Sequence, residues 1–273
     1  VTGVQTCALP ISTIRRRRPP EALQAPIATE TVFPPVSEVN ALWSASTRLR
    51  DLDPQDALLQ YLAQRGIDRD RCAALDLCRG LAPPPCWPSW IPLVGQKPLL
   101  WAETYRLVTP LWDARGQLRS LRFRATSPEI PAGKKALNPS GYGYAGLVMA
   151  DPVGVSLLRG QPEKTWDGRI VVVEGEPDFW TWSCHPGRLE KNPTWAVLGV
   201  VSGSWSESLA ERIPSEARVI LRTHHDEPGE KYAERIRLTL QDRCSVLRSL
   251  PRSEEHTSEL QSPCNLVCRL LLE

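Results

Sequence analysis

Four side chains in the C-terminal third share one possible chemistry. Glu174 closes the apolar run IVVVEG and Asp178 follows it by one helical turn; His224 and Asp226 follow a second apolar run, ARVILRT. Carboxylates brought close together repel, and a divalent cation relieves the repulsion. Mg²⁺ is held by one or two protein carboxylates together with water and substrate phosphates. Such an ion polarises a phosphate and activates a hydroxyl nucleophile. The imidazole of His224 suits Mn²⁺ or Zn²⁺ better than Mg²⁺. The expected cofactor is therefore Mg²⁺ or Mn²⁺, with Mn²⁺ favoured. His224 and Asp226 share a side by strand alternation, while His225 points away. A plainer reading has Glu174 and Asp178 only capping the helix that follows.

A basic counterpart lies upstream. In LRSLRFRAT, Arg122 and Arg124 project to one side of a strand. Lys134 and Lys135 open the Gly-rich segment GKKALNPSGYGYAGLVMA. Residues 12–169 carry 21 basic and 15 acidic residues, whereas 170–251 carry 10 and 12. This asymmetry suits a protein that holds polyanions on one side and cations on the other, with ordinary scatter as the competing account.

The elements that must position these residues follow from periodicity. EVNALWSAS, PQDALLQYLAQRGI and DRDRCAALDL read as helices. RLVTPLWD and LRSLRFRAT read as a hairpin turning at ARG. From residue 170 the text alternates: IVVVEG, WAVLGVV, ARVILRT and CSVLRSL as strands, with EPDFWTWSCH, SGSWSESLAERI and EPGEKYAERIRLTLQDR as helices between them. The predicted fold class is α/β: an α+β N-terminal subdomain, then a small Rossmann-like parallel sheet. Ligands of such sheets bind at the carboxyl ends of the strands, where Glu174 and His224–Asp226 fall. Trp180, Trp182 and Trp205 lie on the predicted helices. They read as core packing, with base stacking as the alternative.

The two ends of the chain read differently. A DNA string that encodes residues 1–11 has a reverse complement that, with one base added, encodes residues 252–262. Both strings resemble a short-read sequencing adapter. The expectation is that 1–11 and 252–273 are translated adapter, that 12–37, with RRRRPP, is a disordered linker, and that the genuine segment is cut at both ends. Outside those ends stand Cys72, Cys78, Cys86, Cys184 and Cys244, an odd set without a C-x-x-C pair. That argues against a disulfide framework or zinc finger within the segment and for a reducing, cytoplasmic setting. No run of 18 apolar residues is present, so no membrane-spanning segment is expected.

The motifs VVVEGEPD, VLGVVSG and HHDEPGEKYA resemble, in order and spacing, those of the TOPRIM domain of DnaG-type and phage or plasmid primases. That family shows a strand ending in Glu-Gly with an Asp soon after, a Leu-Gly strand, and Asp-x-Asp-x-x-Gly opening a helix. Glu174, Gly175, Asp178, Gly199, Asp226 and Gly229 match, and His224 stands where the family has its first Asp. Upstream, YLAQRGIDRDRCAALDL, TPLWDARGQLRSLRFRA and KKALNPSGYGYAGL are similar to the primase catalytic core, with Arg124, Lys135 and Asn138 matching its basic and Asn positions.

The resemblance implies a primase core subdomain over 38–169 and a TOPRIM domain over 170–251. It implies a fragment of a metal-dependent primase, an RNA polymerase that makes primers on single-stranded DNA during replication. Catalysis would fall to Glu174 and Asp226, with metal at Glu174, Asp178, His224 and Asp226. Nucleic acid or nucleotide would meet Arg122, Arg124, Lys134, Lys135 and Asn138, and Gly175, Gly199 and Gly229 would be structural. The implied partners are the single-stranded DNA template, nucleoside triphosphates and a replicative helicase, possible as a fusion in the parent protein. Two alternatives stay open: a non-catalytic nucleic-acid-binding TOPRIM module, and a TOPRIM nuclease or topoisomerase that cleaves phosphodiesters.

Overall fold

The computed structural model describes residues 31–83, 86–91, 104–127, 129–130, 134–189, 194–201, 203–224 and 226–249. The adapter-like ends, His225 and most of the expected linker lie outside these residues. In the N-terminal part come α1 (Val36–Ala45), β1 (Thr47–Arg48), α2 (Ala57–Gln64), α3 (Arg69–Ala74), β2 (Arg79–Gly80), β3 (Leu107–Trp112), β4 (Leu118–Arg124) and β5 (Ala136–Leu137). Next are β6 (Val148–Ala150), α4 (Pro152–Leu158), β7 (Trp166–Glu174), α5 (Glu176–Ser183), α6 (Pro186–Leu189) and β8 (Thr194–Val200). The described part closes with α7 (Glu207–Ala210), β9 (Arg218–Arg222), α8 (Glu227–Leu240) and β10 (Ser245–Arg248).

Four strands form the expected parallel unit in the order β8-β7-β9-β10. β7 is buried on both faces, which explains its unbroken Ile170–Val173 run. Ile170 and Val172 enter one core with α4, α7 and α8, while Val171 and Val173 enter another with α2, α3 and α5. Each of these four side chains is fully buried and contributes about 1.5–3 kcal/mol.

The parallel unit is not a separate sheet. β6 pairs antiparallel with β8, and Trp112 of β3 pairs with Val148 of β6. The order therefore continues as β1-β2-β3-β6-β8-β7-β9-β10, with β4 on β3 and β5 on β4, one mixed sheet of ten strands. The hairpin β3–β4 forms as its alternation predicts, and α1 covers its outer face through Val39, Leu42, Val108, Leu121 and Phe123.

Three expectations need correction. Within the predicted linker, residues 31–37 are structured: Gly143 N–H donates to the Val32 carbonyl at 3.0 Å, Phe33 packs against the core, and α1 already starts at Val36. The helix predicted from SGSWSESLAERI is only Glu207–Ala210, because Pro214 disfavours helical backbone in the residue before it. The segment 151–169, not read as an element, holds α4, whose N-cap Asp151 accepts from Gly154 N–H at 2.7 Å and pairs with the buried Arg188. Trp180, Trp182 and Trp205 are buried, as the core reading expects. The five cysteines are free thiols, and Cys72 and Cys78 lie 3.6 Å apart. Among the described residues no helix is long and apolar enough to cross a membrane.

Candidate active site at the carboxyl ends of β7 and β9

The strand order places a topological switch between β7 and β9. The chain leaves β7 through α5, whose side chains join the core of Val171 and Val173; it leaves β9 through α8, whose side chains join the core of Ile170 and Val172. Connections that diverge in this way open a crevice at the strands' carboxyl ends. Glu174 is the last residue of β7, and His224 and Asp226 follow β9 directly.

Backbone geometry delivers each side chain. Gly175 turns the chain from β7 into α5 at φ 80°, in the left-handed region where a side chain is strained. Asp178 then sits in the first turn of α5. Asp226 caps α8: its Oδ1 accepts from Gly229 N–H at 2.9 Å. Gly229 permits this turn, since a Cβ there would collide with the His224 carbonyl. Gly199 lets β6 and α5 approach β8, since its Cβ would meet Met149 Cε at 2.6 Å and Phe179 Cβ at 3.1 Å.

Three of the four expected residues meet, Glu174 and Asp178 about His224, while Asp226 acts on His224 through its charge. The Glu174 Oε2 accepts from His224 N–H at 3.2 Å and lies 3.9 Å from His224 Nδ1. The Asp178 Oδ2 lies 3.4 Å from His224 Nε2. Contact with Asp178 chiefly drives the imidazole pKa above its ordinary value; partial burial opposes this, and the charges of Glu174, Asp178 and Asp226 reinforce it. His224 is therefore drawn toward the imidazolium form, a positive charge amid three carboxylates.

In donor type the residues fit a divalent cation: Glu174 and Asp226 could supply the one or two carboxylates that Mg²⁺ requires, and His224, once neutral, a nitrogen that suits Mn²⁺. They do not form a closed protein cage: among the described residues no three His, Cys, Asp or Glu side chains are gathered to hold a metal.

The basic residues divide. Arg122 and Arg124 both pair with Glu176, which is 1% exposed, and Arg122 Nη1 donates to Asn138 Oδ1 at 3.0 Å. Arg124 Nη1 donates to Glu176 Oε2 at 2.9 Å and its Nε to the Tyr61 hydroxyl at 2.9 Å. Lys134 is exposed and Lys135 half-buried, just ahead of β5.

One residue escaped the sequence reading, Glu176; its signal was the pair of arginines on a strand face that must be buried, which demands a carboxylate. Tyr232 of α8 packs against Gly203. Its ring fills the space a Cβ on Gly203 would take. Burial raises its phenol pKa, and the nearby charges of Glu174 and Asp226 add to the shift.

The fold is that of primase catalytic cores. It is similar to the structure of the DnaG catalytic core, with TM-score 0.53 and 18% identity over 86% of this chain and 75% of that one. A DNA primase domain from Pseudomonas aeruginosa gives TM-score 0.51 and 18% identity, over 86% and 75% of the two chains. The E. coli primase catalytic core gives 0.50 and 17%, over 85% and 74%. No protein-family model and no curated protein matches the sequence.

Proposed function

We propose that this chain is part of a DNA primase, a TOPRIM-type nucleotidyltransferase that joins ribonucleotides on a single-stranded DNA template. The observation that carries the reading is positional. An acidic cluster of Glu174, Asp178 and Asp226 lies at the switch point of the parallel unit, and the arginine-bearing strand β4 of the same sheet is tied to the first turn of α5. The primase-core fold supports it.

In the proposed reaction a ribose 3′-hydroxyl attacks the α-phosphate of a nucleoside triphosphate and pyrophosphate leaves. Glu174 and Asp226 would hold a divalent ion, assisted by Asp178 and His224. When bound, it would neutralise phosphate charge and favour ionisation of the attacking hydroxyl. Arg122, Arg124, Lys134, Lys135 and Asn138 would hold nucleotide or template phosphates, where charge-assisted hydrogen bonds are strong. Glu176 accounts for only one of the two arginine charges. A partnering helicase belongs to the same proposal.

Template-dependent incorporation of labelled ribonucleotides into short oligomers tests the reading. Glu174→Ala and Asp226→Ala each abolish it; retained synthesis in either variant rules the assignment out. The contacts of His224 with Glu174 and Asp178 favour one second reading, a non-catalytic module whose histidine replaces the cation. That reading requires salt-sensitive single-strand binding indifferent to chelator, and no synthesis with any metal.

A further inference from the structure

Glu174, Glu176 and Asp178 alternate along the turn from β7 into α5 but serve two places. Glu174 and Asp178 face His224, while Glu176 faces β4. Its two oxygens are divided, Oε1 to Arg122 and Oε2 to Arg124. Two guanidinium groups and one carboxylate leave a surplus positive charge. The arginine side chains are only 13% and 11% exposed, so water screens that charge poorly. Among the described residues the second terminal nitrogen of each arginine makes no hydrogen bond.

The same sheet face carries unused donors. Thr109 lies opposite Arg122 and Leu111 opposite Ser120 in the β3–β4 register, so Thr109, Ser120, Arg122 and Arg124 project to one side. The Thr109 and Ser120 hydroxyls are buried and have no hydrogen-bond partner among the described residues. Buried hydroxyls are normally paired. Both residues are 0% exposed, so what this face offers an oxyanion from solvent is the surplus guanidinium charge of Arg122 and Arg124.

We propose that Glu176 is a positioning residue that aligns Arg122 and Arg124 into one oxyanion-binding element and fixes it to the first turn of α5. The class of anion, the triphosphate of a nucleotide, rests on the polymerase reading; the alignment itself does not. Glu176 thereby favours anion binding although it is itself an anion. Without it the guanidinium planes lose their common anchor, and Arg122 keeps only Asn138 while Arg124 keeps only Tyr61.

The test is calorimetric titration of the full chain with inorganic tripolyphosphate at low salt. Glu176→Gln makes the site one unit more positive, yet weakens binding about tenfold or more, because two aligned charge-assisted contacts are lost. Glu176→Asp keeps the charge but not the reach to both arginines, and weakens binding similarly. Tighter or unchanged binding in Glu176→Gln overturns the proposal, since it makes Glu176 a mere charge balance. If Glu176→Gln does not fold, Arg122→Lys carries the test: net charge is unchanged, binding falls about tenfold, and unaltered affinity overturns the proposal. Wild-type protein that does not bind tripolyphosphate overturns it as well. Wild-type protein that binds tripolyphosphate with this mutant pattern but makes no primer refutes the polymerase reading and leaves the positioning role standing.

Discussion

Substitution can separate the helix cap that Asp226 forms from the catalytic role proposed for it. Its Oδ1 accepts from Gly229 N–H at 2.9 Å and caps the 14-residue helix α8, and its exposed carboxylate acts by charge on His224. Asn caps helices about as well as Asp, whereas Ala leaves the amide unsatisfied and costs about 1 kcal/mol, within a range of about 0.5–2. Asp226→Asn also removes a negative charge favourable to the helix dipole, about 0.3–1 kcal/mol for an exposed site. Relief of repulsion from Glu227 in the first turn offsets part of that. Asp226→Ala therefore melts about 2–4 °C below Asp226→Asn for a domain of this size. Both variants lose nucleotidyl transfer, because neither retains the carboxylate. Thermal unfolding by circular dichroism, beside a primer-synthesis assay, measures both. Equal melting temperatures refute the capping argument. Synthesis by Asp226→Asn at the wild-type rate refutes the role of the charge.

Two more outcomes follow from the same turn. Gly229→Ala drives a methyl group into the His224 carbonyl, a backbone atom that cannot swing aside, and destabilises the protein by about 1–3 kcal/mol or more; Gly66→Ala costs only backbone strain, since its Cβ meets nothing within 4 Å. Denaturant unfolding of the two variants checks the order, and a smaller loss for Gly229→Ala contradicts the packing account. His224 titrates, by NMR of its ring protons, with a midpoint above the ordinary 6.5, since Asp178 foremost and the other carboxylates favour the charged ring. A group whose folded pKa is raised stabilises fully below its unfolded pKa, and the contribution is lost as pH rises through the folded one. A midpoint at or below 6.5, or stability gained over that rise in His224-dependent fashion, goes against the reading.

Local pattern carried much of this architecture. The Val-rich β7, the hairpin β3–β4 and the long helix α8 are set by nearest neighbours, because burial on one or two faces leaves a periodic trace. The joining of two halves into one sheet left no such trace. It depends on Val148–Ala150 meeting Leu198–Val200 across some fifty residues, and pairing at that range is chosen by burial of whole faces. The placement of Glu174 at the end of β7, of Asp178 in the first turn of α5 and of Asp226 at the start of α8 was legible because strand ends and helix starts announce themselves in sequence. The partner of Arg122 and Arg124 was not. Its position 52–54 residues further along the chain becomes evident only when α5 lies over β4. Asp151 and Arg188 were missed for the same reason, being buried partners from distant segments.

If Glu174 and Asp226 together hold a divalent cation as proposed, Mn²⁺ titration followed by electron paramagnetic resonance reads it out. Wild-type protein is expected to deplete the free-ion signal saturably, Glu174→Ala and Asp226→Asn each to abolish that depletion while remaining folded, and Mg²⁺ to compete less effectively than Mn²⁺ because of the His224 nitrogen in its neutral form. Wild-type protein that leaves the signal unchanged, or variants that deplete it as wild type does, would contradict the claim.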